Sequence, residues 1–296
     1  MVWAGRRGFG ARPRHGAESS GTEGPLLGLN VTTERHGIVI EIGGMPVRVS
    51  TTDSSFLNMV RNRYAGFVGR TENVEYDFDV HLEAPRMAGL DDPLRVFRNS
   101  GRWRVERGDF RAEWDPLSRS GSIRQTANPY SLDSVLRIVH TIVLSRQEGF
   151  LVHAASAVLG GQAYLFAGVS GAGKTTISRL APKEAVLLTD EISYVRKQPE
   201  GYRAFGTPFT GELGQAGENV SAPLAAVYLL AKGPENRIEP LTPAEAAAAV
   251  LSNILFFAED AELVKLVFRS VLEFVRQVPI RRLKFVPDAR VWEMIA

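Results

Sequence analysis

The strongest constraint on the fold is a glycine-rich loop that lies between a strand pattern and a helix pattern. The apolar run Gln162–Ala167 leads directly into the octapeptide Gly168–Thr175, and Thr176–Leu180 has the composition of a short helix. The octapeptide matches the spacing G-x-x-x-x-G-K-[ST] at every fixed position. Because the motif and both of its flanks agree, we interpret this segment as a binding loop rather than as a chance glycine turn.

The chemistry of the loop predicts binding of a nucleoside triphosphate, ATP together with Mg²⁺. Small residues allow successive backbone N–H groups to turn toward the β- and γ-phosphates, which a Cβ would obstruct. The ammonium of Lys174 adds a full positive charge, and the hydroxyl of Thr175 is a suitable ligand for Mg²⁺. The residues expected to bind the nucleotide are Gly168, Ser170, Gly171, Ala172, Gly173, Lys174, Thr175 and Thr176.

Two adjacent acids follow the next strand pattern. Asp190 and Glu191 come directly after the predicted strand Ala185–Thr189, sixteen residues after Lys174. A strand that ends in acids near such a loop can bring a carboxylate to the Mg²⁺ or to an attacking hydroxyl, so either acid is a candidate base and Asp190 a candidate metal ligand. The alternative is a solvated turn, because Ile192–Val195 has the pattern of another strand.

Two further features are ambiguous by themselves. His153 lies in the apolar run Leu151–Leu159, where a histidine is more often a satisfied core residue than a functional one. The segment Gly206–Glu212 contains two hydroxyls and an acid, and it is either an ordinary surface turn or a loop that contacts substrate or metal. We include His153 among the catalytic candidates and Glu212 among the metal ligands.

The patterns along the chain predict a tail and two domains. Residues 1–25 are rich in Gly, Arg, Ser and Pro and indicate a disordered tail. Residues 26–128 contain alternating strand patterns, a glycine turn at Gly43-Gly44 and one amphipathic helix over 53–66, which predict a small α+β domain. In residues 129–296, a helix over Ser131–Arg146 precedes strands and helices that alternate, which favours a layered α/β domain.

Composition limits the other classes of function. The 296 residues include no cysteine, so disulfides and thiolate metal sites are excluded. A net charge of +2 gives no support for a nucleic-acid partner. The most apolar stretch, Ala246–Phe257, is shorter than the roughly 20 residues that a membrane helix needs. We therefore expect a cytoplasmic protein with no membrane or nucleic-acid partner, which can form a homo-oligomer.

Taken together, these motifs resemble the catalytic domain of the bacterial HPr kinase/phosphorylase family. The resemblance rests on LVHAASAV, which contains His153, on GVSGAGKTT, on LLTDE and on GTPFTGE. In that family a strand containing histidine precedes a G-x-S-G-x-G-K-[ST] loop, and two acids follow one short helix later. The chain is more similar still to the relatives encoded with peptide-modification systems, including kinases of lasso-peptide precursors. The similarity covers roughly Ser131 to Val250.

The resemblance implies an α/β fold with a P-loop kinase core, like that of HPr kinase and ATP-dependent phosphoenolpyruvate carboxykinase. It implies that Lys174 holds phosphates, that Thr175 and Glu212 hold Mg²⁺, and that His153 lies beside the reacting phosphate. The family uses an aspartate as proton acceptor where this chain has Glu191, so Asp190 and Glu191 both stay candidates. The segment that supports the reverse, phosphorylase reaction is not found, so neither that reaction nor HPr as substrate is implied.

The leading hypothesis is an ATP-dependent kinase that phosphorylates a serine of a peptide or small protein. One alternative is a regulatory module in which slow ATP hydrolysis drives a conformational switch. Another is a kinase whose acceptor is the hydroxyl of a small molecule. The first alternative is less favoured, because no glutamine near the loop would orient a water molecule.

Overall fold

The first of the two β-sheets begins with a hairpin whose turn consists of two glycines. The computed structural model describes residues 34–85 and 92–295. Strands β1 (His36–Ile42) and β2 (Met45–Thr51) form the predicted antiparallel hairpin around Gly43 and Gly44, whose φ angles are +62° and +72°. Alternation of apolar and polar residues turns one face of each strand toward the core.

The first sheet has eight strands, in the order β3-β1-β2-β4-β8-β7-β6-β5. Its pairs β2–β4 and β4–β8 are parallel, and the other pairs are antiparallel. The predicted amphipathic helix is α1 (Ser54–Arg63), and the carboxylate of Asp53 caps it by accepting a hydrogen bond from the Phe56 N–H at 2.7 Å. The remaining strands of this sheet are β3 (Val68–Gly69), β4 (Tyr76–Leu82), β5 (Arg95–Asn99), β6 (Arg102–Arg107), β7 (Phe110–Asp115) and β8 (Ser120–Gln125).

The second sheet has nine strands, and part of it closes on itself. Strand β10 pairs with β9 on one side and with β14 on the other, while β12 and β13 connect β9 to β14. The strands are β9 (Phe150–Leu159), β10 (Gln162–Ala167), β11 (Val186–Thr189), β12 (Ile192–Gln198), β13 (Gly201–Phe205), β14 (Ser221–Lys232), β15 (Arg237–Pro240), β16 (Ile254–Leu255) and β17 (Ile280–Phe285). The helices are α2 (Pro129–Arg146), α3 (Lys174–Arg179), α4 (Pro243–Asn253) and α5 (Ala261–Gln277).

The predicted α/β fold class is wrong. Of the described residues, 40% are in strands and 28% in helices. The strands form two large mixed sheets, not a P-loop α/β core preceded by a small α+β domain. The prediction assumed that strands and helices alternate, but β9–β10 and β12–β13 are antiparallel pairs of successive strands. A continuous apolar run is typical of a strand buried on both faces, and it does not reveal whether a helix or a tight turn follows.

Helix α2 shares a hydrophobic core with both sheets. Its predicted span is confirmed, and Asn128 caps it by accepting hydrogen bonds from two backbone N–H groups. One cluster of buried side chains extends from Ile38 in β1 through Leu136 in α2 to Tyr194 in β12. The proposed domain boundary between 128 and 129 stays a prediction, and the predicted tail 1–25 lies outside the described residues. Among the described helices, none is long and apolar enough to span a membrane.

Tyr194 is the point where the hairpin turn of the first sheet meets the second sheet. Its side chain is fully buried, and the position that a Cβ on Gly43 would take is only 2.4 Å from its ring. The imidazole of His140 packs edge-on against the same ring at 5.5 Å between centroids. Neither nitrogen of His140 has a hydrogen-bond partner in the described residues, nor has the hydroxyl of Tyr194.

Alanine at Gly43 is expected to cost more stability than alanine at Gly44. Both glycines have positive φ, so either change introduces backbone strain of about 1–2 kcal/mol. Only at position 43 does the new methyl group also meet the Tyr194 ring, whereas a Cβ at Gly44 has nothing within 4 Å. This overpacking adds about 1–3 kcal/mol. Urea unfolding of G43A and G44A measures the difference, and equal losses would contradict the contact.

Because of His140, the free energy of unfolding is expected to decrease as the pH is lowered. Burial lowers the pKa of His140 to about 3, whereas an imidazole in the unfolded chain titrates at about 6.5. Between these values the unfolded chain binds a proton that the folded chain does not, so acidification favours unfolding. Compared with His140→Phe, the wild type is expected to lose about 2 kcal/mol from pH ~7 to pH ~5. Chemical denaturation at both pH values measures this loss, with the exposed His81→Gln as the control.

Candidate functional site

The glycine-rich loop connects β10 to α3 at one end of the second sheet. Residues 168–173 form the loop, and Gly171 and Gly173 have φ angles of +77° and +111°. The Phe285 ring at the end of β17 lies 2.6 Å from the position that a Cβ on Gly173 would take, so this position requires glycine. The Ala172 N–H donates to the Val169 carbonyl at 3.0 Å and is therefore engaged within the loop.

Lys174 points back into this loop from the first position of α3. Its side chain is 8% exposed, and its ammonium donates a hydrogen bond to the Gly168 carbonyl at 3.0 Å. Burial lowers the pKa of Lys174, and the negative charges of Glu191 and Glu212 oppose that shift. The ammonium is thus held beside the loop and within electrostatic reach of two of the predicted acids.

Thr175 and Glu212 form a pair of oxygen donors at the rim of the site. The Thr175 hydroxyl donates to a carboxylate oxygen of Glu212 at 2.9 Å, although the two residues are 37 positions apart. A hydroxyl and a carboxylate suit Mg²⁺, which is commonly held by one or two carboxylates and the phosphates of a substrate. The described residues contain no group of three or more His, Cys, Asp or Glu side chains arranged to hold a metal. The pair by itself supplies two oxygen donors, a hydroxyl and a carboxylate.

Asp190 has a structural role that its position in the sequence does not reveal. It is 2% exposed, and its two carboxylate oxygens accept backbone N–H groups of Gly211 and Leu213, each at 2.8 Å. These bonds tie the loop that carries Glu212 to the end of β11. Since both oxygens are engaged, Asp190 holds the loop from beneath it.

Glu191 is directed differently from its neighbour. One of its carboxylate oxygens lies 3.5 Å from Nε2 of His153, and its side chain is 26% exposed. Burial alone would raise the pKa of Glu191. The hydrogen bond and charge of His153, together with the charges of Lys174 and Arg137, lower the pKa below its ordinary range. Glu191 is therefore an ionised carboxylate that is partly open to solvent.

The strands explain how His153 reaches Glu191. His153 of β9 is paired with Ile192 of β12, the residue that follows Glu191. Neighbouring strands in this register bring the two side chains to the same edge of the sheet. The site thus brings together Lys174, Thr175, Glu191, Glu212 and His153 around the loop, whereas Asp190 lies beneath it. Ser170 is exposed and Thr176 half-buried, and neither makes a side-chain hydrogen bond within the described chain.

Sequence patterns did not indicate two side chains beside this site. Phe209 is a buried residue of the loop that carries Glu212, and the central carbon of the Arg137 guanidinium lies 4.7 Å from the centre of its ring. Arg137 belongs to α2, which the sequence pattern predicts only as a helix. A single arginine between the apolar pairs Val135-Leu136 and Ile138-Val139 was the available signal.

Asp190→Asn is expected to destabilise the protein more than Glu191→Gln does, because Asp190 has a structural role. Asp190→Asn places an NH₂ group against backbone N–H donors, so at least one buried donor loses its acceptor at a cost of about 1–3 kcal/mol. The side chain of Glu191 is partly exposed, so Glu191→Gln is expected to change the free energy of unfolding by less than about 1 kcal/mol. Calorimetric unfolding and limited proteolysis of residues 206–218 measure both effects. A stable, protease-resistant Asp190→Asn would contradict the structural role.

Comparison with known proteins gives a family for the chain. Comparison with curated proteins finds no match. The family model described as "ScmC: SynChlorMet cassette protein ScmC" matches residues 122–296, a range that includes β9, the glycine-rich loop and both acids. This match covers more than half of the 296 residues. The chain therefore belongs to the SynChlorMet cassette protein ScmC family.

Proposed function

We propose that the protein is an ATP-dependent kinase that transfers the γ-phosphoryl group to a serine hydroxyl of a peptide or small protein. The observation that carries this proposal is the position of Lys174, which lies within electrostatic reach of both Glu191 and Glu212 at the glycine-rich loop. A cation for phosphates, a hydroxyl–carboxylate pair for Mg²⁺ and a carboxylate for a proton thus lie in one site. These are the parts that phosphoryl transfer needs.

Each part has a task in binding. Lys174 exchanges its hydrogen bond with the Gly168 carbonyl for the phosphates, which accept a charged hydrogen bond more strongly than a carbonyl does. Thr175 and Glu212 would hold Mg²⁺, which supplies positive charge that neutralises the phosphate oxygens. Free backbone N–H groups of the loop bind the remaining phosphate oxygens.

Glu191 is the better candidate for the base. Its carboxylate is ionised and partly exposed, whereas both oxygens of Asp190 already accept backbone hydrogen bonds. In the proposed step the serine oxygen forms a bond to the γ-phosphorus as the bond from that phosphorus to the β–γ bridging oxygen breaks. The hydroxyl proton passes to Glu191, and the products are phosphoserine and ADP.

His153 would orient the base. Its Nε2 lies 3.5 Å from Glu191, which is close enough to fix the carboxylate through a hydrogen bond. A fixed carboxylate leaves one oxygen for the acceptor hydroxyl and lowers the entropic cost of reaching the reactive geometry.

The acceptor is proposed from the motifs and the family. The resemblance of the motifs to HPr kinase/phosphorylase proteins supports a serine acceptor, and it rests on these motifs and not on the architecture. The description of the matched family as a cassette protein directs the search for an acceptor to products of the same cassette. The absence of cysteine supports a reducing, cytoplasmic setting for the reaction.

Incubation with γ-labelled ATP, Mg²⁺ and peptides encoded in the same cassette is expected to label a serine. Lys174→Ala is expected to abolish ATP binding, because it removes the charge that the loop directs at the phosphates. Glu191→Gln is expected to bind ATP but to transfer at least about 10²-fold more slowly, because it removes the base. Calorimetry measures binding, and label on the acceptor measures transfer.

The exposed Lys183→Ala is the matched control for Lys174→Ala, because it removes the same charge from a residue outside the loop. Label that appears only as free phosphate would instead support the regulatory switch. Label on a small metabolite would support a small-molecule acceptor. Normal transfer by Lys174→Ala would contradict all three.

A further inference from the structure

Arg137 is a half-buried charged residue in an otherwise apolar segment of α2. Its neighbours Leu136 and Ile138 are at most 1% exposed. The Nε atom of Arg137 is buried and has no hydrogen-bond partner in the described residues. A guanidinium stays charged, and leaving one of its buried N–H donors without a partner is costly unless an anion compensates it.

The acid on the same helix is already engaged by other donors. Asp133, one turn before Arg137, accepts a hydrogen bond from Arg63 at 2.7 Å and another from the Tyr64 hydroxyl. Arg137 makes no ion pair within 4 Å with any acid in the described part of the chain. The nearby charges of Asp133 and Glu191 act on it only from a longer distance. The site therefore has an arginine whose charge the protein only partly compensates.

The guanidinium of Arg137 lies against an aromatic ring. Its central carbon is 4.7 Å from the centre of the Phe209 ring, within range of a cation–π contact with the loop that carries Glu212. None of the described residues accepts a hydrogen bond from this guanidinium. Phe209 thus helps to hold the position of the group without supplying an oxygen acceptor for its N–H donors.

The electrostatic interaction of Arg137 with Glu191 points to a phosphate as the anion. Glu191 is within electrostatic reach of both Lys174 and Arg137. The phosphoryl group moves from the nucleotide, held by Lys174, toward the hydroxyl that Glu191 deprotonates. A second cation near Glu191 would therefore lie close to the phosphoryl group during its transfer. A planar fork of N–H donors also matches two phosphate oxygens, which a lysine cannot do.

We propose that Arg137 is a second phosphate-binding residue, whose guanidinium binds the terminal phosphate of the bound triphosphate. This inference rests on the proposed kinase function. It adds a residue from α2, outside the glycine-rich loop, to the phosphate site. It also gives α2 a task beyond packing, since the helix holds the cation while Phe209 contacts it.

The ratio of the affinities for ATP and ADP tests the inference. If Arg137 binds the terminal phosphate, Arg137→Met is expected to weaken ATP binding by about 10–100-fold and to leave ADP binding within about twofold. Arg137→Lys keeps the charge but loses the fork, so an intermediate ratio is expected. Calorimetry with Mg²⁺–ATP and Mg²⁺–ADP measures both affinities. Arg146→Met, an exposed arginine at the end of the same helix, is the matched control.

The outcomes separate this inference from the function on which it rests. A wild-type protein that binds neither nucleotide would overturn both. A wild-type protein that prefers ATP, together with an unchanged preference in Arg137→Met, would overturn only the role of Arg137. If Arg137→Met lost affinity for ATP and ADP equally, Arg137 would have a packing role, and its proposed role in binding the terminal phosphate would be overturned as well. Should Arg137→Met fail to fold, the ratio for Arg137→Lys decides, and a wild-type ratio would contradict the inference.

Discussion

Two hydrogen bonds that a single buried carboxylate accepts organise the site. The backbone N–H groups of Gly211 and Leu213 donate to Asp190, so the loop that carries Glu212 is tied to the end of β11. A buried carboxylate must be satisfied in this way, because an unpaired charge in the interior is costly. The same contact brings Glu212 to Thr175. The geometry of the rim therefore depends on Asp190, although this residue does not face the solvent itself.

The charges of the site are arranged around Glu191. Basic side chains from three elements influence its carboxylate: His153 of β9, Lys174 of α3 and Arg137 of α2. Their combined field keeps the carboxylate ionised despite its partial burial. The two permanent cations are matched by the carboxylates of Glu191 and Glu212, so a triphosphate would enter this site together with the positive charge of Mg²⁺. The same field would keep Glu191 in the deprotonated form that a proton acceptor requires.

The packing around Tyr194 shows how the two sheets are held together. Its ring fills the space that Gly43 leaves open and also contacts His140 of α2. The polar side-chain atoms of His140 and Tyr194 have no hydrogen-bond partners in the described residues, so this contact rests on shape rather than on hydrogen bonds. Burying unpaired polar atoms costs about 1–3 kcal/mol for each group. The surrounding apolar cluster offsets that cost.

The sequence by itself determined the local elements: the Gly43-Gly44 hairpin, the amphipathic helix over 53–66, and the helix that precedes β9. Each depends on residues close together in the chain, such as a positive-φ turn or a capping carboxylate. The tertiary structure alone decided the fold class and the different roles of Asp190 and Glu191. Strand pairing and burial join residues far apart in the chain, as do Asp190 with Leu213 and Arg137 with Phe209. Local patterns carry no information on such partners, because a continuous apolar run indicates a strand buried on both faces and not which strand pairs with it.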